Sequence, residues 1–379
     1  MTFLLLAAGS VLLVTLFHIA AGWAISNRLH TAVFVSQPRG KDLAVRVRDV
    51  SSDRIVLEAP TARQDIGHPG VLGLVWDGGH GRLGNVIDVR GAGVVRAFEP
   101  GLGLPPVCAG EIEDCPPVEI DPWVYPGDPS DVGLTFEHVT YEQPLGVMGA
   151  WLVPGGSGHR WALHCHGWTA DKRELVRMLP TYHRHELTSM VIDYRNDPGA
   201  PGDPSGRYRF GLSEWEDLEA AVQYAVDAGA ENVVLSGCST GSAIVMAFLE
   251  RSPLSSQVSG VVLDSPNIIL ADAIRHGTRD ARATRLMIEF GMWVADLRWK
   301  IDWEGTNYVQ RADTTLKMPT MVFHGTSDQT IPIAVSRQLE AKVPGLVELV
   351  ETPAAGHVMS WNADPERYER YLGNFLGRI

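Results

Sequence analysis

From about Val132 to the C-terminus, apolar runs of strand length alternate with longer amphipathic runs, and this alternation restricts the possible folds more than any other feature of the chain. LTFEHVTY, VMGAWLVP, WALHCHG, SMVIDY, NVVLSG, VSGVVLDSP, MPTMVFHG and LVELVET read as strands. Helical runs are expected from about Ala170 to His185 and at SEWEDLEAAVQYAVDA, SAIVMAFLERS, PIAVSRQLEAK and ADPERYERYLGNFL, the last with Asn362 as its cap. Strands that alternate with helices build a mostly parallel, doubly wound α/β sheet. In such sheets the chemistry sits at the carboxyl ends of the strands.

Residues 32–131 have a different texture. LAVRVRDV, DRIVLEAP and GVVRAFEP alternate with a period of two and are broken by glycine and proline, which predicts a small β-rich domain of antiparallel strands. The proline-rich, acidic stretch Pro116–Pro129 is the expected linker into an α/β domain over 132–379.

Ahead of both, Thr2 to Ile25 carry no charge. About 20 apolar residues cross a bilayer as a helix, so a single-pass N-terminal membrane anchor is expected over 1–27, with Trp23 at the interface. A cleaved signal peptide ending at Gly22-Trp23-Ala24 is the competing reading, but no basic segment precedes the run. The side of the membrane stays open. Arg28, Arg39, Lys41, Arg46 and Arg48 after the span favour a cytoplasmic body. A disulfide between Cys108 and Cys115 in PPVCAGEIEDCPP would instead imply an oxidising compartment, and two free thiols are an equal alternative. With 45 acidic against 32 basic residues the net charge is −13, which argues against nucleic acid as a partner.

The residues with the clearest chemistry are Gly237-Cys238-Ser239-Thr240-Gly241, between the apolar run NVVL and the helical run SAIVMAFLE. A serine on a tight strand-to-helix turn is pushed out at the top of the sheet, and Gly237 and Gly241 let the backbone crowd there. Such a hydroxyl needs a base. His357, in the small-residue loop PAAGHVMSW after the last strand, is the candidate, and Asp328 in VFHGTSDQTIP is the candidate acid that orients it. Asp264 in VVLDSP is a rival acid. The oxyanion hole is expected from the main-chain N–H of Thr240 and of Trp168 in HCHGWT.

Together, HGW at 166–168, DYRN at 193–196, GCSTG at 237–241, LDSP, HGTSDQTIP and AGHV at 355–358 resemble the α/β-hydrolase superfamily across about Val132 to Ile379. Within it the chain is similar to membrane-anchored serine hydrolases of the α/β-hydrolase-domain type, including lysophospholipase-like and monoacylglycerol-lipase-like members, and shares features with the serine aminopeptidase-like branch. The resemblance implies a Ser-His-Asp esterase mechanism through an acyl-enzyme, carried by Ser239, His357, Asp328, Trp168 and Thr240. It departs from the family where Asn196-Asp197-Pro198 replaces the usual glycine-rich turn.

The segment between LDSP and MPTMVFHG, about 267–316, is expected to form a lid, with Phe290 and Trp293 as an acyl-binding wall or as the buried face of an ordinary helix. The substrate expected is a small-molecule or lipid-derived ester. The pairs His164/His166 and His183/His185 lack a third ligand at metal spacing, so neither metal nor other cofactor is expected. A peptidase or acyltransferase with the same triad, or a non-catalytic binding protein on this fold, are the alternatives.

Overall fold

The computed structural model describes residues 2–35, 45–59, 66–91, 93–111, 114–279 and 283–379; the side chains described in its first helix begin at Thr15. Arg39 and Lys41, invoked above for orientation, lie outside the described residues. Helix α1 spans Thr2–Leu29. Among the described residues, no helix is long and apolar enough to cross a membrane, so the anchor expected over 1–27 is not shown.

The β-rich segment forms a six-stranded antiparallel sheet, in the order β1-β2-β5-β4-β3-β6. Its strands are β1 (Arg46–Val50), β2 (Arg54–Glu58), β3 (Leu72–Trp76), β4 (Gly79–Arg90), β5 (Gly93–Leu102) and β6 (Glu119–Asp121). Period-two alternation puts Ile55, Leu57, Leu72, Leu74 and Trp76 on the buried face. That face closes on Ala355 and Met359 of the α/β domain. Cys108 and Cys115 are bonded to each other. The expected start of this segment is displaced. His30–Phe34 extend α1 as a π-helical turn. Phe34 packs on Phe210 and accepts a hydrogen bond from Tyr208 N, so this stretch belongs to the α/β core.

The second sheet has eight strands, in the order β14-β13-β12-β11-β9-β10-β8-β7. These are β7 (Glu137–Gln143), β8 (Gly146–Val153), β9 (Arg160–Cys165), β10 (Thr188–Ile192), β11 (Asn232–Cys238), β12 (Val258–Asp264), β13 (Thr320–Gly325) and β14 (Val347–Thr352). The first two pair antiparallel and the remaining six run parallel. Central strands lack polar alternation because both faces are covered. In β11, Val233 and Leu235 face one core cluster while Val234 and Cys238 face the other.

The helices that follow are α2 (Leu179–Arg184), α3 (Trp215–Asp227), α4 (Thr240–Arg251), α5 (Leu270–Gly277), α6 (Arg285–Trp299), α7 (Ala312–Thr315), α8 (Ala334–Lys342), α9 (Ser360–Ala363) and α10 (Pro365–Leu376). Two local expectations are corrected. The helix expected from Ala170 to His185 is a 3-10 stretch over Lys172–Met178 followed by the short α2. Pro180, near the start of α2, has no N–H for a bond to the carbonyl of Val176, so one continuous α-helix cannot form. The cap of α10 is Asp364, which accepts from Arg367 N. Asn362 instead donates from Nδ2 to the carbonyls of Val71 and Pro122, tying the β-rich domain to the α/β domain.

The segment 267–316 carries α5, α6 and α7, and α6 packs along α1. A Cβ on Gly22 would lie 2.4 Å from Phe290 Cδ1, and one on Gly291 would lie 2.3 Å from Ile25 Cγ2. Glycine on each helix permits this close approach.

Candidate active site

Ser239 sits between β11 and α4 with φ +50° and ψ −114°, a strained backbone for a residue with a Cβ. The flanking glycines make the turn possible. A Cβ on Gly237 would lie 2.6 Å from the carbonyl carbon of Gly241, and one on Gly241 only 2.2 Å from the carbonyl oxygen of Cys165. Gly241→Ala therefore forces a methyl into main chain that cannot swing aside. The expected cost is about 3 kcal/mol, read by urea unfolding; stability equal to the parent would contradict the packing described.

His357 comes from the loop between β14 and α9. Its Nε2 lies 2.9 Å from Ser239 Oγ and its Nδ1 2.8 Å from Asp328 Oδ2. With the ring proton on Nδ1, His357 donates to Asp328 and accepts from the serine hydroxyl. Asp328 Oδ1 accepts from the N–H groups of Thr330 and Ile331, both at 2.8 Å. Burial opposes ionisation of Asp328, but hydrogen bonding from His324 and His357 outweighs it and holds the carboxyl well below the usual carboxylate range. The acid is thus ionised whenever the protein is folded near neutral pH.

Asp264, the rival acid, ends β12 fully buried, and neither carboxylate oxygen has a hydrogen-bond partner. It makes no contact of this kind with His357. Burial pushes its pKa up to about 6, against an opposing pull from Arg177. An unfolded aspartate releases its proton near pH ~4. Folding therefore takes up a proton between these values, and stability falls as pH rises from about 4 to about 6 and stays lower above. Asp264→Asn cannot ionise. Relative to the parent it should gain up to about 3 kcal/mol between pH 4 and pH 8, measured by chemical unfolding at both ends. A difference independent of pH would refute this account.

Among the described residues, Trp168 and Thr240 do not donate in the backbone hydrogen bonds of the loops and turns. Both residues line the same cavity as Ser239. The peptide before Trp168 is clamped: Gly167 N donates to Glu174 Oε2, and Gly167 O accepts from Tyr194 Oη and His166 Nδ1. Burial would lower the pKa of His166, but Asp197, 2.9 Å from its Nε2, raises it to about 9. Asn196-Asp197-Pro198 thus anchors the loop that carries Trp168. His164 has no such partner, and burial lowers its pKa to about 3. His183 is exposed on α2, apart from the buried His164 on β9 and His166 just after it. Among the described residues, His166, Asp193 and Asp197 place ligand atoms within 4.8 Å of one another, and Lys172 already pairs with Asp193 there.

A cavity of about 620 Å³ opens beside Ser239 and His357. Phe290 and Trp293, the expected acyl wall, do not line it. Phe290 faces Gly22 of α1 and stacks on Trp293, which is exposed. Two positions along a helix turn by about 200°, so Ile288 is the α6 residue that reaches the cavity. Sequence reasoning also missed His324, whose Nε2 lies 3.3 Å from Asp328 Oδ2. It missed Arg177 and Ser265, which hold Val358 beside the histidine through its carbonyl and its N–H. Only the buried histidine in VFHG was a visible hint.

An eight-stranded, mainly parallel sheet with its serine at a strand-to-helix turn is the architecture of a hydrolase of the α/β class. The chain belongs to the alpha/beta hydrolase family, whose model matches residues 152–370. A domain of unknown function, DUF8805, matches residues 46–104. The uncharacterized protein Rv2307c of Mycobacterium tuberculosis is 26% identical over 218 residues, 55% of this chain and 68% of that protein. Among solved structures, the esterase Pf2001 of Pyrococcus furiosus superposes with a TM-score of 0.54 at 19% identity, over 67% of this chain and 94% of that chain. That second likeness is one of fold.

Proposed function

We propose that the protein is a serine ester hydrolase acting through Ser239, His357 and Asp328. The observation that carries this reading is the continuous chain of contacts from Asp328 through His357 to Ser239 Oγ, at 2.8 and 2.9 Å, beside an open cavity. The esterase activity named for the Pyrococcus furiosus protein agrees with it.

In this reading Ser239 Oγ attacks the ester carbonyl while His357 Nε2 takes its proton. The oxyanion is held by the N–H groups of Trp168 and Thr240. Collapse of the tetrahedral species expels the alcohol, protonated by His357, and leaves an acyl-serine. Water, deprotonated by His357, then releases the acid and regenerates the serine. Labelling with a fluorophosphonate, followed by a turnover profile over esters of graded acyl length, tests the proposal. Failure to label and to hydrolyse any activated ester would reject it. Comparing water with alcohols and amines as acceptors separates hydrolase from acyltransferase and peptidase activity.

The proposal extends to a membrane setting, with α1 as the anchor. The uncharged run Thr2–Ile25 and the exposed Leu16, Phe17, Ile19 and Trp23 support it. Lipid-derived esters would then be the accessible substrates. Release of the full-length chain by carbonate extraction would reject the anchor without touching the catalytic reading.

A further inference from the structure

Part of the wall of the cavity beside Ser239 and His357 comes from an unexpected place. Ile25, Arg28, Leu29 and Ala32 all line it. Ile25, Arg28 and Leu29 share one face of α1, and Ala32 and Val33 continue the lining from the π-helical turn that follows it. The C-terminal end of the N-terminal helix therefore shares a cavity with Ser239 and His357, and Arg28 is one of the residues that line it.

Arg28 is the only Lys, Arg, Asp or Glu among the residues described as lining this cavity. No ion pair among the described residues involves it. The remaining wall is largely aliphatic, with Leu270, Ile274, Ile288 and Ile331. A guanidinium at the exposed edge of a largely aliphatic cavity that no carboxylate lines, in no ion pair among the described residues, can receive an anion. An ester that fills this cavity would bring its own negative charge to Arg28.

Building on the ester-hydrolase reading above, we infer that the preferred substrate is an amphiphilic ester carrying an anionic group, with its chain against α1, α5 and α6 and its charge on Arg28. A phosphate headgroup and a carboxylate both satisfy this chemistry.

The test uses the full-length protein in neutral detergent and two matched pairs of esters. One pair is a monoacylglycerol and its 3-phosphate with the same acyl chain. The other is a p-nitrophenyl alkanoate and the mono-p-nitrophenyl ester of the dicarboxylic acid of equal length. The parent should favour the charged member of at least one pair, and which pair responds identifies phosphate or carboxylate. Arg28→Gln should lower kcat/KM for that charged ester about tenfold more than for its neutral partner. Arg28→Lys should restore part of the loss, and added salt should narrow the gap. Equal rates on charged and neutral esters in the parent, or equal losses on both in Arg28→Gln, would overturn the inference. Fluorophosphonate labelling in every variant keeps the two readings apart. Labelling with no charge preference rejects the anion site alone, whereas no labelling of the parent rejects the hydrolase.

Discussion

Ser239→Ala is expected to abolish fluorophosphonate labelling and to lower ester turnover by about four to six orders of magnitude. In the proposed mechanism the substitution removes the atom that would form the acyl-enzyme and leaves the remainder of the site standing. The positive φ at this position belongs to the turn and not to the hydroxyl, so the fold should persist. If the Trp168 and Thr240 amides form the proposed oxyanion hole, they would still polarise a carbonyl in the variant, and a small residue of activity over water is expected. Stopped-assay kinetics on a p-nitrophenyl ester, with unfolding curves for both proteins, separate lost chemistry from lost structure. Turnover within about tenfold of the parent would remove Ser239 from the mechanism.

Asp328→Asn is expected to lower kcat by about 10⁴-fold, whereas Asp264→Asn should stay within about tenfold of the parent. The asymmetry follows from the donors around Asp328. Its Oδ1 accepts from the N–H groups of Thr330 and Ile331. In the variant the carboxamide oxygen is the group that can accept those bonds, so the NH₂ turns toward His357. Nδ1 must then act as acceptor and the ring proton moves to Nε2, where it can no longer receive the proton of Ser239. The Asp264 carboxylate oxygens accept no well-formed hydrogen bond, and the main-chain carbonyl that accepts from Ser239 N is kept in the variant. Its replacement removes a buried charge above pH 6 and touches neither ring nitrogen of His357. Similar kcat losses in the two variants would show that the acid was assigned wrongly.

The α/β sheet was legible because its signals are local. A buried strand needs a run of Val, Leu and Ile, as in NVVL, and the following helix needs a periodic face, as in SAIVMAFLE. The turn at Ser239 was legible for the same reason, since two glycines must stand where any Cβ would strike main chain. Asn362 was misread as a cap because its real partners, Val71 and Pro122, lie more than 200 residues away. For Phe290 and Trp293 the sequence leaves an acyl wall and an ordinary buried helix face open, because helical spacing shows that residues share a face, not which neighbour that face meets. His324 and Arg177 gave little signal, since their roles come from contacts with Asp328 and Val358 made only on folding.

Periodicity and turn chemistry, which act over a few residues, were enough to define the strand and helix order and to mark Ser239 as the outstanding hydroxyl. The choice of Asp328 over Asp264 as partner of His357 depended on how β12, β13 and the loop after β14 converge. So did the wall of the cavity, supplied by a helix more than 200 residues ahead of the serine. Such contacts join distant segments through the packed core, and only the three-dimensional arrangement, where burial and hydrogen bonding are satisfied together, decides them.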